Sequence, residues 1–419
     1  MFSSGWRRGT IVGLAAAGAA VVIGAGTLGV TWANSAVSAR PAAAVAAPRQ
    51  QAAAHVVAQQ RSSARRASAP PTGAAQATAP RTASSAAVPW RSVGPGWVLD
   101  TYSAGTRARP APTALYLVSP GGAKYRLLTW PVSATPAPTI VAWAGDKTEA
   151  LFALPSANGQ PGYGELNLAT GKMTRVAFAS AATTPLGYTL PSGAQILGIT
   201  QRGQNTTIAR YTQSGALVKA LVTSGQALGA SDSPDGAKLA VPALGGLLLV
   251  SNAGGVLRKL PVAGAGAKAT CEPVRWWNAT TVLASCGRLW LVPASGARPS
   301  ALTPVRNPAK PPHDYGDLDA WQLPSGLYLQ SAGACGTLEL NRQAANGSIT
   351  KVTVPGMTDS PVVVTAYGSQ LLIGQLGCEG SGGQLAWFNP ATGAEHWLFR
   401  TGAGPSAVAY NSLENGDIQ

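Results

Sequence analysis

The chain has 419 residues, of which only 11% are charged, against about a quarter in an ordinary soluble domain. Glycine (50) and proline (32) make it turn-rich, hydrophobic residues at 46% suffice for a core, and the formal net charge is +15. Together these exclude a fully disordered chain, a multi-span transporter and a disulfide-dense miniprotein.

The charge is uneven. The first acidic residue is Asp100, and nine of the 31 Lys and Arg residues lie in 1–91. Residues 92–419 therefore carry 22 basic against 16 acidic side chains, a net +6. The basic character belongs largely to the N-terminal arm.

In chain order, Arg7 and Arg8 precede an uncharged run ending near Ala39, with an apolar core over 10–32. A cleavable signal has an apolar region of about 7–15 residues, whereas a spanning helix needs about 20. The length favours a retained anchor; Val37, Ser38 and Ala39 also suit a signal peptidase. We read 1–39 as a signal-anchor or signal-peptide helix. Either way residues from 40 onward are exported, with the arginines left on the cytoplasmic side. Residues 40–91 are Ala, Pro, Ser, Thr, Gln and Arg with almost no large apolar side chains. Such a segment cannot offset its ordering entropy, so it reads as a disordered linker.

From Trp97 onward the sequence repeats. Apolar residues at alternate positions run into a glycine turn at 114–121, 165–171, 208–215, 247–254, 288–296, 338–347 and 384–393. The spacing averages about 45 residues, the period of a four-stranded propeller blade. A second string, PTIVAW at 138–143, returns as PVVVTAY at 361–367 and PSAVAY at 405–410. It reads as the inner strand of each blade. The last copy has no blade after it, and the first blade lacks one. The economical solution is an all-β, seven-bladed β-propeller over 92–419, closed by the C-terminal strand 406–410 beside 97–102. Closure removes the open edges of a sheet.

The turn Ser233-Pro234-Asp235-Gly236, followed by Ala237 and Lys238, resembles the Ser-Pro-Asp-Gly-Lys turn of TolB-type propeller repeats. Residues 389–402 (NPATGAEHWLFRTG) resemble a pyrroloquinoline-quinone-type repeat, found also in non-catalytic envelope scaffolds. The Trp-Asp dipeptide of WD repeats is absent. As a whole, 92–413 resembles a secreted, TolB-like or WD-like propeller of a high-GC bacterium. That resemblance implies an envelope binding or scaffold role.

Four cysteines in an oxidising compartment suggest two disulfides. Cys271 opens the inner strand of blade 5 and Cys286 ends its second strand, so antiparallel pairing brings them together. Cys335 and Cys378 occupy equivalent places in blades 6 and 7, and their bridge would tie adjacent blades. Metal binding lacks the CxxC spacing of a zinc site.

In a propeller, the loops from second to third strands and from fourth to next-first strands share one end. Here they hold the long insertions. Loops that outgrow a minimal turn often carry function, so this end is the expected binding surface. Its candidates are Arg107, Arg109, Tyr163, Arg202, Asn205, His313, Asp314, Tyr315, Asp317, Asp319 and Glu379. The acids at 314, 317 and 319 miss the EF-hand register, so no metal is expected. No G-x-S-x-G elbow, H-E-x-x-H or Walker loop occurs, and recurring tryptophans suit packing between blades better than a sugar platform. No cofactor is expected.

The sequence thus points to a membrane-tethered or secreted, extracytoplasmic propeller. The expected activity is non-enzymatic: a monomeric scaffold for an envelope protein or polymer, held to the membrane by its N-terminal helix, without nucleic acid. The alternatives are a propeller hydrolase or lyase acting on cell-wall carbohydrate or peptide, and a quinone-dependent dehydrogenase, which one matching repeat supports poorly.

Overall fold

The computed structural model describes residues 83–105, 110–134, 137–143, 148–155, 162–203, 205–225, 229–305, 316–333, 337–357, 360–376, 384–400 and 408–410. The expected export segment and most of the expected linker lie outside the described residues. All described residues belong to one compact unit, and it is an all-β propeller, a ring of blades.

Alternation of apolar side chains, broken by glycine and asparagine, makes each blade an antiparallel meander. Blade 1 is built from Val98–Ser103, Thr113–Val118 and Lys124–Trp130. Blade 2 has Thr139–Trp143, Glu149–Leu154, Gly162–Asn167 and Met173–Val176. Blade 3 has Thr183–Tyr188, Ile196–Arg202, Asn205–Tyr211 and Leu217–Ser224. Blade 4 has Ser231–Asp232, Lys238–Leu244, Gly246–Ser251 and Val256–Pro261. Blade 5 has Thr270–Asn278, Thr281–Ser285, Leu289–Pro293 and Ser300–Ala301. Blade 6 has Gly316–Leu323, Gly326–Ala332, Leu338–Gln343 and Ile349–Lys351. Blade 7 has Ser360–Tyr367, Gln370–Leu376, Leu385–Asn389 and Ala394–Phe399.

Val408–Tyr410 lies against Val98–Ser103, with Val98 opposite Tyr410 and Asp100 opposite Val408. This is the inner strand that blade 1 lacks in the sequence. At the outer rim Ala83–Ser84 runs parallel to Lys124–Trp130. Val88 is buried against the blade 1–2 layer, with Trp90 and Val93 packed beside it. Among the described residues, Val88 and Trp90, within the stretch 40–91 expected to be linker, already pack on the ring. A short apolar stretch, Val88 to Val93, makes this contact.

The core is not central. It is a series of layers between successive blades. Leu117, Trp143 and Phe152 join blades 1 and 2; Leu151, Tyr188 and Ile196 join blades 2 and 3. Leu197, Leu239 and Val241 join blades 3 and 4. Val98, Val118, Leu385 and Trp387 pack blade 7 onto blade 1. Trp143, Trp276, Trp290, Trp321 and Trp387 are all buried in such layers, which is the packing role expected of them.

Blades 4 and 5 depart from the repeat. The inner strand of blade 4 is only Ser231–Asp232. The long inner strand of blade 5 reaches over to compensate, pairing Cys271 with Ala243 and Thr270 with Leu244. Within blade 5, Glu272 faces Ser285, and one step further Cys271 and Cys286 form the disulfide, with Cα atoms 4.4 Å apart. Cys335 and Cys378 lie outside the described residues.

Candidate functional site

Arg107, Arg109, His313, Asp314, Tyr315 and Glu379 lie outside the described residues. Of the remaining candidates, Arg202 and Asn205 face each other across one hairpin tip of blade 3 and are exposed. Tyr163 is buried, its ring edge-on to Phe178 at 5.7 Å, and burial pushes its phenol pKa up. Asp317 is fully buried and accepts a 2.8 Å hydrogen bond from Ser331 Oγ. Asn341 Nδ2 in turn donates to that hydroxyl at 3.0 Å. Asp319 accepts from Arg275 Nε at 3.1 Å and from the Ala320 amide at 2.7 Å. Burial raises the Asp319 pKa, and the Arg275 charge works against the rise. These contacts of Tyr163, Asp317 and Asp319 are thus to other residues of the ring, within a blade for Asp317 and between blades for Asp319. Among the described residues the structure gathers no binding cluster from the expected set.

A better-formed site sits at the other end of the ring, where the tight turns are. Turn 189–195 closes the first hairpin of blade 3, with the Gly193 amide donating to Thr189 O at 2.8 Å. Turn 233–237 does the same in blade 4. There the Gly236 amide donates to Ser233 O at 2.7 Å, and Lys238 N–H donates to Ser233 Oγ at 2.9 Å. Gly236 has φ +65°, and a Cβ there would overlap the Leu190 carbonyl. Glycine is required twice over, by the turn and by the approach of the neighbouring blade. The Asn252 amide, from the third turn, donates to the Gly236 carbonyl. Leu190 N–H donates to Asp232 Oδ2 at 3.2 Å.

Between these turns lies a groove of about 510 Å³, lined by Leu190, Gln195, Arg210, Asp235, Asn252 and Ala253 among others. Arg210 Nε, Asp232 Oδ1 and Asn252 Oδ1 are buried and have no hydrogen-bond partner. Burial pushes the Asp232 pKa up to about 7, against the pull of the Leu190 amide and the Arg210 charge. Asp235, at the rim, is held low by the Ser233 hydroxyl and then the Ala237 amide. An unpaired buried donor or acceptor costs about 1–3 kcal/mol. These three atoms of Arg210, Asp232 and Asn252, one donor and two acceptors, lie within the wall between the blades rather than on its surface. No sequence motif marks them: each resembles an ordinary strand or turn residue, and they meet only because two blades are adjacent.

A second, smaller cavity of about 210 Å³ lies at the seam of blades 7 and 1, lined by Tyr102, Tyr116, Lys124, Phe399 and Arg400. The Lys124 ammonium sits 4.6 Å from the Phe399 ring centre. Asp100 is fully buried nearby, with the Lys124 charge and the Thr101 amide acting on its carboxylate. Burial drives its pKa well up, and the Lys124 charge offsets only part of this. A carboxyl group raised in the folded state supports folding fully below its unfolded pKa, and that support is lost as pH rises through the folded value. Asp100→Asn is therefore expected to raise the Tm by several degrees at about pH 8 and by much less at about pH 4. Melting curves at both pH values check it. Equal destabilisation at both would mean that the pairing with Lys124 outweighs the burial cost.

No known protein-family profile matches this chain, and no curated protein matches it in sequence. Solved structures do. A structure of prolyl endopeptidases, studied for inter-domain dynamics in catalysis and specificity, superposes with TM-score 0.51 at 16% identity, over 76% of this chain and 49% of that one. A Mycobacterium tuberculosis puromycin-hydrolyzing peptidase gives TM-score 0.48 at 16% identity, over 76% and 56%. TolB from Acinetobacter baumannii gives 0.42 at 14%, over 75% and 66%. The likeness is one of fold. The chain spans about half the length of the two peptidase structures. Among the described residues His396 is the one histidine; it is exposed and packs by the Gly122 turn. No group of His, Cys, Asp and Glu fit to hold a metal occurs among the described residues.

Proposed function

We propose that the chain is an extracytoplasmic binding scaffold, membrane-tethered or secreted. In this reading a seven-bladed ring closed by its C-terminal strand holds an envelope protein or polymer without chemistry. The observation that carries it is the groove between the turns of blades 3 and 4, a concave surface lined by small and polar residues. The Cys271–Cys286 bridge supports the compartment, because lasting disulfides belong to oxidising environments. The scaffold acts as a monomer, and its small net charge outside the arm gives no footprint for nucleic acid.

A hydrolase or lyase working on wall carbohydrate or peptide would need an acid, a base or a nucleophile converging on substrate. Of such groups the unpaired atoms around the groove include the Asp232 carboxyl, whose pKa is pushed up to about 7, and no second acid, base or nucleophile.

The test is photo-crosslinking in cells that make the full chain, with the reactive group placed at Ala194, at Ala253 or at Arg202. Ala194 and Ala253 line the groove. A discrete crosslinked product is expected from both and not from Arg202. A product from Arg202 alone would move the binding surface to the long-loop end.

A further inference from the structure

We propose that the outer wall of the ring, from blade 1 to blade 5, is a cationic belt along which a flexible, linear polyanion is held. This rests on the scaffold reading above and adds a second surface to it, whose ligand is an acidic envelope polymer.

The first observation is where the two signs of charge go. Residues 92–419 carry a net charge of only +6. Yet among the described residues the one exposed acidic side chain is Asp235, in a hairpin turn at one end of the ring. The other described acids are buried or half-buried, and some are tied to neighbouring blades, Glu165 to Tyr188 and Asp319 to Arg275. The basic side chains face outward. The fourth strand of each blade forms the outer wall. Arg126, Arg175, Lys219, Arg258 and Lys259 lie on the fourth strands of blades 1 to 4 and are exposed. Arg298, also exposed, comes just before the fourth strand of blade 5. None of these five strands contains an acid. None of the six cations makes an ion pair among the described residues. The pattern stops at blade 6, where Lys351 is paired with Glu339 at 3.0 Å, and the fourth strand of blade 7 carries Glu395. The net charge understates the wall because the acids are turned inward.

The second observation is that this wall is continuous. The turn leading into each fourth strand rests on the fourth strand of the blade before it. Between blades 1 and 2, a Cβ on Gly171 would lie 4.0 Å from Leu128 Cδ1. Between blades 2 and 3, the Ala177 amide donates to Ser214 O at 2.9 Å, and between blades 3 and 4 the Gly255 amide donates to Leu221 O at 3.2 Å. Between blades 4 and 5, a Cβ on Gly296 would lie 2.7 Å from Arg258 Nη1. The cations are therefore steps along one curved surface. A polymer that meets several of them at once releases a counterion at each, so its binding is strong at low salt and falls steeply as salt rises. Curvature selects the partner. A flat bilayer touches a convex wall only where the two are tangent. Duplex DNA, with a persistence length of about 50 nm, also meets it along a tangent. A flexible chain can follow all five blades.

The test uses the full-length chain held in a non-ionic amphipol, titrated over a range of salt concentrations. The flexible probes are long-chain polyphosphate and polygalacturonate, which carry the two common anionic groups. Tripolyphosphate is the short control; short duplex DNA and phosphatidylglycerol vesicles are the stiff and flat ones. At least one flexible probe is expected to bind, and tripolyphosphate, duplex and vesicles to bind much more weakly. That comparison is made on the unaltered protein, so misfolding of a variant cannot mimic it. Arg126→Gln, Arg175→Gln, Arg258→Gln and Arg298→Gln combined are expected to lower affinity by about tenfold or more at low salt and to flatten the slope of log K against log salt by about 3. The basic N-terminal arm is unchanged in that variant, so the difference reads the wall alone. Arg202→Gln, at a hairpin tip away from the outer strands, is expected to change the slope by less than about 1. Failure of both flexible probes to bind, or an unchanged slope in a combined variant that melts like the wild type, overturns the proposal. Tripolyphosphate binding as tightly as the long chains also overturns it, as does tighter binding of duplex or vesicles, and these outcomes leave the scaffold reading standing. Shortening of a bound polymer during the titration would overturn the scaffold reading and leave the belt in place.

Discussion

Arg275→Met is expected to cost about 3–5 kcal/mol of unfolding free energy, the range for removing one partner of a buried ion pair. Arg275 leaves the inner strand of blade 5 with its side chain 12% exposed and meets Asp319, 17% exposed, on the inner strand of blade 6. It also donates to the Ala320 carbonyl. Its guanidinium lies 5.3 Å from the Trp277 ring centre and 5.6 Å from that of Trp321. Methionine keeps most of the apolar contact and removes the charge. Asp319 is then a buried carboxylate with a raised pKa and only the Ala320 amide to support it. Adding Asp319→Asn to the Met variant is expected to recover part of the loss, because it is the stranded charge that costs most. Denaturant unfolding of the single and double variants, at equal m, measures both. A loss under about 1 kcal/mol would place this pair with exposed bridges of little worth.

Replacing Cys271 and Cys286 together by alanine is expected to cost about 3 kcal/mol. The bridge closes a loop of sequence separation 15, and the chain-entropy argument assigns about that much to a loop of this length. Both sulfurs belong to the blade 4–5 layer, with Cys271 fully buried and Cys286 4% exposed, so alanine adds a modest packing loss. Reduction of the wild type should reproduce most of the drop without any substitution. If reduction leaves the Tm unchanged, the loop is already ordered in the unfolded chain by other means.

The blades were legible because their signals are local. Gly171, Gly215, Gly254, Gly296, Gly347 and Gly393 all take positive φ, at the turns that the repeat spacing picks out. In blade 1 the left-handed residue is Gly122 rather than Gly121, a shift too fine for a spacing argument. Ring closure was legible because 405–410 repeats a string whose role is set elsewhere in the chain. The Cys271–Cys286 pair followed from hairpin register. The groove was not legible. Arg210, Asp232 and Asn252 come from different strands and turns of two blades, and nothing local distinguishes a turn asparagine that satisfies itself from one left with an empty oxygen. Asp100 was visible as the first acid of the chain. What was invisible is that its strand is buried on both faces, which depends on Val408–Tyr410 covering one edge and on blade 7 packing against it.

The pairing of Val98–Ser103 with Val408–Tyr410 also orders events in time. Blades 2 to 7 pair strands that are near in sequence, but blade 1 is complete only once Val408–Tyr410, at the far end of the sequence, pairs with Val98–Asp100. Contacts of such long sequence separation slow folding. Until then, Val98–Ser103 is an open edge, the kind of surface on which two chains pair and aggregate. Asp100 lies in the middle of that edge, and a charge on an open strand discourages such pairing. The carboxylate that burdens the finished ring shields the unfinished one.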